Sequence, residues 1–131
     1  METINLNIDI QITDEDIDDI MSYALDGGIT YWCGRVEVVG TCLGDYASDQ
    51  ISRGGTLRLY DIEDEDEVYE LTKEKFLQGV RLFLVTPTFN FWRTVKLEGD
   101  DKFYINCCGV MDAEDADAII QYALFGEIIY G

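Results

Sequence analysis

Residues 13–31, TDEDIDDIMSYALDGGITY, recur near the other end of the chain as DAEDADAIIQYALFGEIIY at 112–130. Ten of the nineteen paired positions are identical: Glu15 and Glu114, Asp16 and Asp115, Asp18 and Asp117, Ile20 and Ile119, Tyr23 and Tyr122, Ala24 and Ala123, Leu25 and Leu124, Gly27 and Gly126, Ile29 and Ile128, Tyr31 and Tyr130. The matches include apolar and turn-forming types as well as acids. A repeat of that kind constrains two distant segments to one local plan.

The plan reads as strand, acidic helix, glycine, strand. Ile4, Leu6, Ile8, Ile10 and Ile12 alternate with Asn5, Asn7, Asp9 and Gln11, the period of a half-buried strand. Thr13 opens a T-x-x-D helix start, and Asp14, Glu15 and Asp16 suit the positive end of the helix dipole. Ile17, Ile20, Met21, Ala24 and Leu25 form one apolar stripe at helical spacing, and Gly27 and Gly28 can stop the helix. Residues 29–39 resume as a strand, with Gly34 as the place for a bend. In the second copy, residues 102–108 read as a strand and Asp112 as the cap. Ala116, Ile119, Ile120, Ala123 and Leu124 repeat the stripe, Gly126 stops it, and residues 127–130 form a terminal strand.

Between the copies, residues 40–55 form a loop ending in SDQISRGG. Thr56 to Asp61 and Val68 to Leu71 read as strands around the charged turn IEDEDE. Thr72 caps a helix from Lys73 to about Leu84, carrying Phe76, Val80 and Phe83 on one side. Pro87 closes that region, and Thr88 to Leu97 reads as a strand followed by the turn EGDD. With 131 residues, 47% apolar content and no break in composition, the expected product is one α+β domain. It would have an antiparallel sheet, about three helices, and two related strand-helix-strand units at the termini.

Charge is the second constraint. The chain carries 27 acids against nine bases, a net charge of −18, and no histidine. Residues 1–34 hold eight acids and no base; residues 103–131 hold five acids and no base. Direct binding to nucleic acid or to an anionic membrane is disfavoured, because those surfaces are gripped by Lys and Arg. A basic protein surface is favoured instead. No apolar run is long enough to span a bilayer, and the first residues lack a signal-peptide pattern, which points to the cytosol. Cys33, Cys42, Cys107 and Cys108 form no CxxC pair, so reduced thiols are expected and no metal site is.

The acids of the two helices are the first candidate surface: Asp14, Glu15, Asp16, Asp18 and Asp19 with Glu114, Asp115 and Asp117. Capping explains part of the pattern, but not the lack of any neighbouring base. A second candidate is the loop Ser48–Gly55, where Arg53 with Gly54 and Gly55 could hold a phosphate while Trp32 or Trp92 stacks on a base. The IEDEDE turn has acids without a calcium loop's glycine, so it reads as a solvated turn. No P-loop or dinucleotide pattern is present, no cofactor is expected, and no nucleophile-base pair has recognisable spacing. The chain therefore reads as a binding protein rather than an enzyme.

ITDEDIDDI, YALDGGITYWC, YASDQISRGG and DAEDADAIIQYALFGEIIYG resemble segments of small acidic proteins carried by phages and mobile elements of gut Firmicutes. The resemblance covers most of the chain and brings no catalytic residues. It implies a setting in which such proteins counter host defence, as anti-CRISPR and anti-restriction proteins do. The expected function is a non-enzymatic inhibitor whose carboxylates mimic nucleic-acid phosphates before a basic partner. Two alternatives are a module sequestering a nucleotide signal, and a homo-oligomeric structural protein whose terminal edge strands pair across subunits.

Overall fold

The computed structural model describes residues 1–89 and 91–131. Its elements run β1 (Ile10–Gln11), α1 (Asp14–Tyr23), a π-helical turn (Ala24–Gly28), β2 (Cys33–Val39), β3 (Thr56–Asp61), β4 (Val68–Leu71), α2 (Lys73–Val85), α3 (Phe91–Thr94), β5 (Val95–Leu97), β6 (Phe103–Ile105) and α4 (Ala113–Phe125). The class is α+β, with four helices among the described residues and two small sheets in place of one.

The first sheet, β2-β3-β4, is antiparallel throughout. Its register sets Glu37, Arg58 and Glu70 side by side, so Arg58 bonds Glu37 at 3.2 Å and Glu70 at 3.1 Å. Leu57, Leu59 and Leu71 are buried in the core. The register slips between Cys33 and Arg35, which places the bend at Gly34. The second sheet, β1-β6-β5, pairs β1 parallel to β6 and β6 antiparallel to β5.

Helix α4 is the centre of the molecule. Residues 115–121 are buried without interruption, and α1, its π-helical turn, α2 and β4 all pack on α4. Two close approaches depend on glycine. A methyl group on Gly79 of α2 would run into the Ile119 carbonyl and Ala123, and one on Gly28 would run into the Ala113 carbonyl.

Helix starts follow the expected chemistry. Thr13 and Asp112 each close a capping box with the aspartate three residues on, and the Thr72 side chain accepts from the Lys75 amide. The stops differ between the copies. Gly126 takes the left-handed conformation at φ 73°, whereas α1 widens into a turn in which the Ile29 amide donates to the Ala24 carbonyl.

Five expected strands differ from what forms. Of residues 102–108 only Phe103–Ile105 is strand. Residues 4–9 are not strand, because β6 is three residues long and offers β1 pairing only opposite Phe103 and Tyr104. Residues 29–32 are a turn, so the strand expected over 29–39 starts at Cys33. Residues 127–130 are not strand either; the amides of Ile129 and Tyr130 donate to the Gln121 side-chain carbonyl at 2.9 and 2.8 Å, which replaces a partner strand. The strand expected over 88–97 is a 3-10 turn at Pro87–Phe89, then α3, and only Val95–Leu97 is extended; Asn90 lies outside the described residues. The second unit is therefore strand and helix followed by a folded-back tail.

Candidate functional site

The candidate acids do not form one surface. Asp14 and Glu15 are exposed on the first turn of α1, with Asp14 3.4 Å from Lys73. Asp16 closes the capping box and lies 3.4 Å from the Cys107 thiol, with Asp19 at 4.0 Å from the same sulfur. Burial, then the hydrogen bond to Asp16, pushes that thiol up to about 12, so it stays protonated and donates. Asp18 is half-buried, and one of its carboxylate oxygens is enclosed without a hydrogen-bond partner among the described residues.

The second copy withdraws two of its three acids. Glu114 is exposed, but Asp115 is buried against Arg93 at 2.8 Å, and the same guanidinium also donates to the Val110 carbonyl. Asp117 is buried and accepts from the Tyr31 hydroxyl at 2.6 Å, the Trp32 indole at 2.8 Å and the Gln121 amide at 3.0 Å. Three donors satisfy the carboxylate without a cation. Neither Asp115 nor Asp117 can present its charge to a partner. The physical reason is that α4 is buried all round over residues 115–121, so the flank that a helical wheel assigns to solvent faces protein there.

The first turns of α1 and α4 also stand apart. The start of α4 docks against Gly28, fourteen residues beyond Asp14, which at ~1.5 Å per helical residue is about 20 Å along α1 and its π-helical turn. The two units present two separate acidic points.

Around Asp117 the repeat's terminal tyrosines converge. The Tyr31 hydroxyl accepts from Gln121, and the Tyr130 backbone both donates to and accepts from the same glutamine. The Tyr130 ring stacks on Trp32 at 4.8 Å, and its hydroxyl donates to Asp61 at 2.6 Å. That bond holds the Asp61 carboxyl below its ordinary range. Burial first, then the bond to Asp117, pushes the Tyr31 hydroxyl up to about 12. This network joins both copies of the repeat to the first sheet. Its signal in the sequence is the pairing of Tyr31 with Tyr130, which there reads as scaffold; Gln121 carries no signal at all.

The nucleotide-binding alternative is not assembled. Arg53 is exposed, but the amides of Gly54 and Gly55 already donate to the Ile51 and Gln50 carbonyls at 3.0 and 2.9 Å. Those two amides are therefore not free to hold a phosphate. Trp32 is 1% exposed and sandwiched in the core, so it cannot stack on a ligand. Trp92 is exposed, set edge-on against Phe91 at 5.0 Å.

No group of three or more acids and cysteines among the described residues is arranged to hold a metal ion. None of the described helices is long and apolar enough to cross a membrane. No protein-family model, curated protein or solved structure matches the chain.

Proposed function

We propose that the protein is a non-enzymatic inhibitor, of the kind carried by phages and mobile elements against host defence, that engages a basic surface of a nucleic-acid-handling protein. The observation that supports this reading is the imbalance of ion pairs. Five of the nine bases are held by acids of the protein itself, while only six of the 27 acids have a base within reach among the described residues. The protein's own cations are mostly occupied, and its anions mostly face water.

Asp14, Glu15 and Asp18 of α1 form the contact surface, with Glu114 as a second point about 20 Å away. Asp115 and Asp117 hold the fold that positions them. Carboxylates at such points replace phosphates by charge, and their attraction to a basic groove acts over roughly a Debye length, ~8 Å at physiological salt.

The test is capture of partners from host lysate at about 0.05 M and 0.5 M NaCl, with duplex DNA as competitor. Capture should fall at high salt and in the presence of DNA. It should also fall at least about tenfold for the triple variant Asp14→Asn, Glu15→Gln, Asp18→Asn. Capture indifferent to both salt and DNA would remove the reading.

A further inference from the structure

The amino-terminal arm leaves most of its apolar surface uncovered by its own chain. Ile4, Leu6 and Ile8 continue the apolar row of Ile10 and Ile12, but Ile10 and Ile12 alone pack on the core; exposure is 88% at Ile4, 75% at Leu6 and 36% at Ile8. Residues 4–8 take part in no backbone hydrogen bond among the described residues. β1 is the edge of its sheet, so its outer side carries no strand. In a chain with 27% charged residues, Thr3 to Ile8 has none, and no proline or lysine blunts the edge.

Beneath the arm lies a cleft of about 760 Å³, between Leu6 and Ile8 on one side and Leu77, Val80, Leu84 and Val85 of α2 on the other. Arg81 is the charged residue on the α2 wall, exposed and without a carboxylate partner among the described residues. The arm's charged side chains are Glu2 and Asp9, both acids, and Asp9 itself lines the cleft along with Arg81.

We infer that the arm and its cleft are a homodimer interface, occupied by residues 4–8 of a second copy of this chain. Pairing across a twofold axis is antiparallel and self-complementary, so residues 4–8 of the two copies pair with each other and continue each sheet beyond β1. The apolar residues of both arms then cover the two clefts. Charge selects this occupant. A second arm brings acids to Arg81, whereas a basic partner would set its cations against that arginine, and the uncharged run at the contact keeps like charges out of the centre. Each copy still carries −18, so association should strengthen as salt screens the repulsion, opposite to the capture of a basic partner.

The experiment is sedimentation equilibrium of the full chain from about 5 to 200 µM at low and high NaCl. The wild type should pass from 14.9 kDa toward twice that mass with concentration, more readily at high salt. Leu6→Glu should weaken association at least about tenfold, and so should Arg81→Glu. Asp9→Arg combined with Arg81→Glu should recover it. Leu6 is already exposed, so the variant's circular dichroism should match the wild type. A wild type that stays at 14.9 kDa throughout overturns the interface, as does a dimer insensitive to Leu6→Glu. A monomeric wild type that loses basic partners on Leu6→Glu also overturns it and assigns the cleft to them. Dimerisation without salt-sensitive capture leaves the interface standing and removes the proposed function alone.

Discussion

Asp117 shows how far burial changes the meaning of one carboxylate. Of its three donors Trp32 and Gln121 are buried while Tyr31 is half open to solvent, so removing the acceptor strands two of them away from water. Asp117→Ala should cost about 3 kcal/mol of unfolding free energy, measured in urea, against under about 0.5 kcal/mol for Glu114→Ala three residues earlier. Equal effects would mean that Asp117 is solvated. Tyr31 extends the same network into pH dependence. Its hydroxyl ionises near 10.0 when free and near 12 in the fold, so the folded protein retains a proton that the unfolded chain releases. That stability is complete below pH 10.0 and is lost as pH rises toward about 12. Tyr31→Phe should flatten the alkaline limb of a stability-against-pH curve over that window.

The elements show why some of the plan was readable and some was not. β3, β4 and the start of α2 lie where alternation, apolar spacing and Thr72 place them, since each signal is local. Strand formation at 4–9 and 127–130 needed a partner that local pattern cannot supply. Helix contact is equally non-local. Gly79 sits mid-helix, where alanine would ordinarily gain about 1 kcal/mol of helix stability. Here an added methyl meets the backbone of Ile119, which cannot rotate away, and overpacking of that kind costs roughly 1–3 kcal/mol. Gly79→Ala should therefore destabilise by up to about 2 kcal/mol in thermal or urea unfolding. A gain in stability would show that α2 and α4 stand further apart.

Across the whole molecule, self-repulsion outweighs the attractive pairs. The exposed pairs around Arg58 contribute little and weaken with salt, and 27 acids against nine bases leave far more repulsive terms to be screened. Raising NaCl from about 0.02 to 0.5 M should lift the melting temperature by roughly 3–6 °C. A fall would mean that the ion pairs dominate. The separation of the two acidic helix starts belongs to this scale too, because it turns a charge total into two points rather than one field.

By itself, the sequence determined the class, the capped helix starts, the central strands and the sign of the surface, because periodicity, capping and net charge are properties of neighbours or of sums. Tertiary structure alone decided which acids remain on that surface. Asp18 and Asp117 are equivalent in the repeat, yet the first is half-buried on a peripheral helix while the second anchors Tyr31, Trp32 and Gln121 at the centre. The difference lies in what packs around each helix. α1 has protein on one side, α4 has it on nearly all, and no local pattern records how many neighbours a helix will meet.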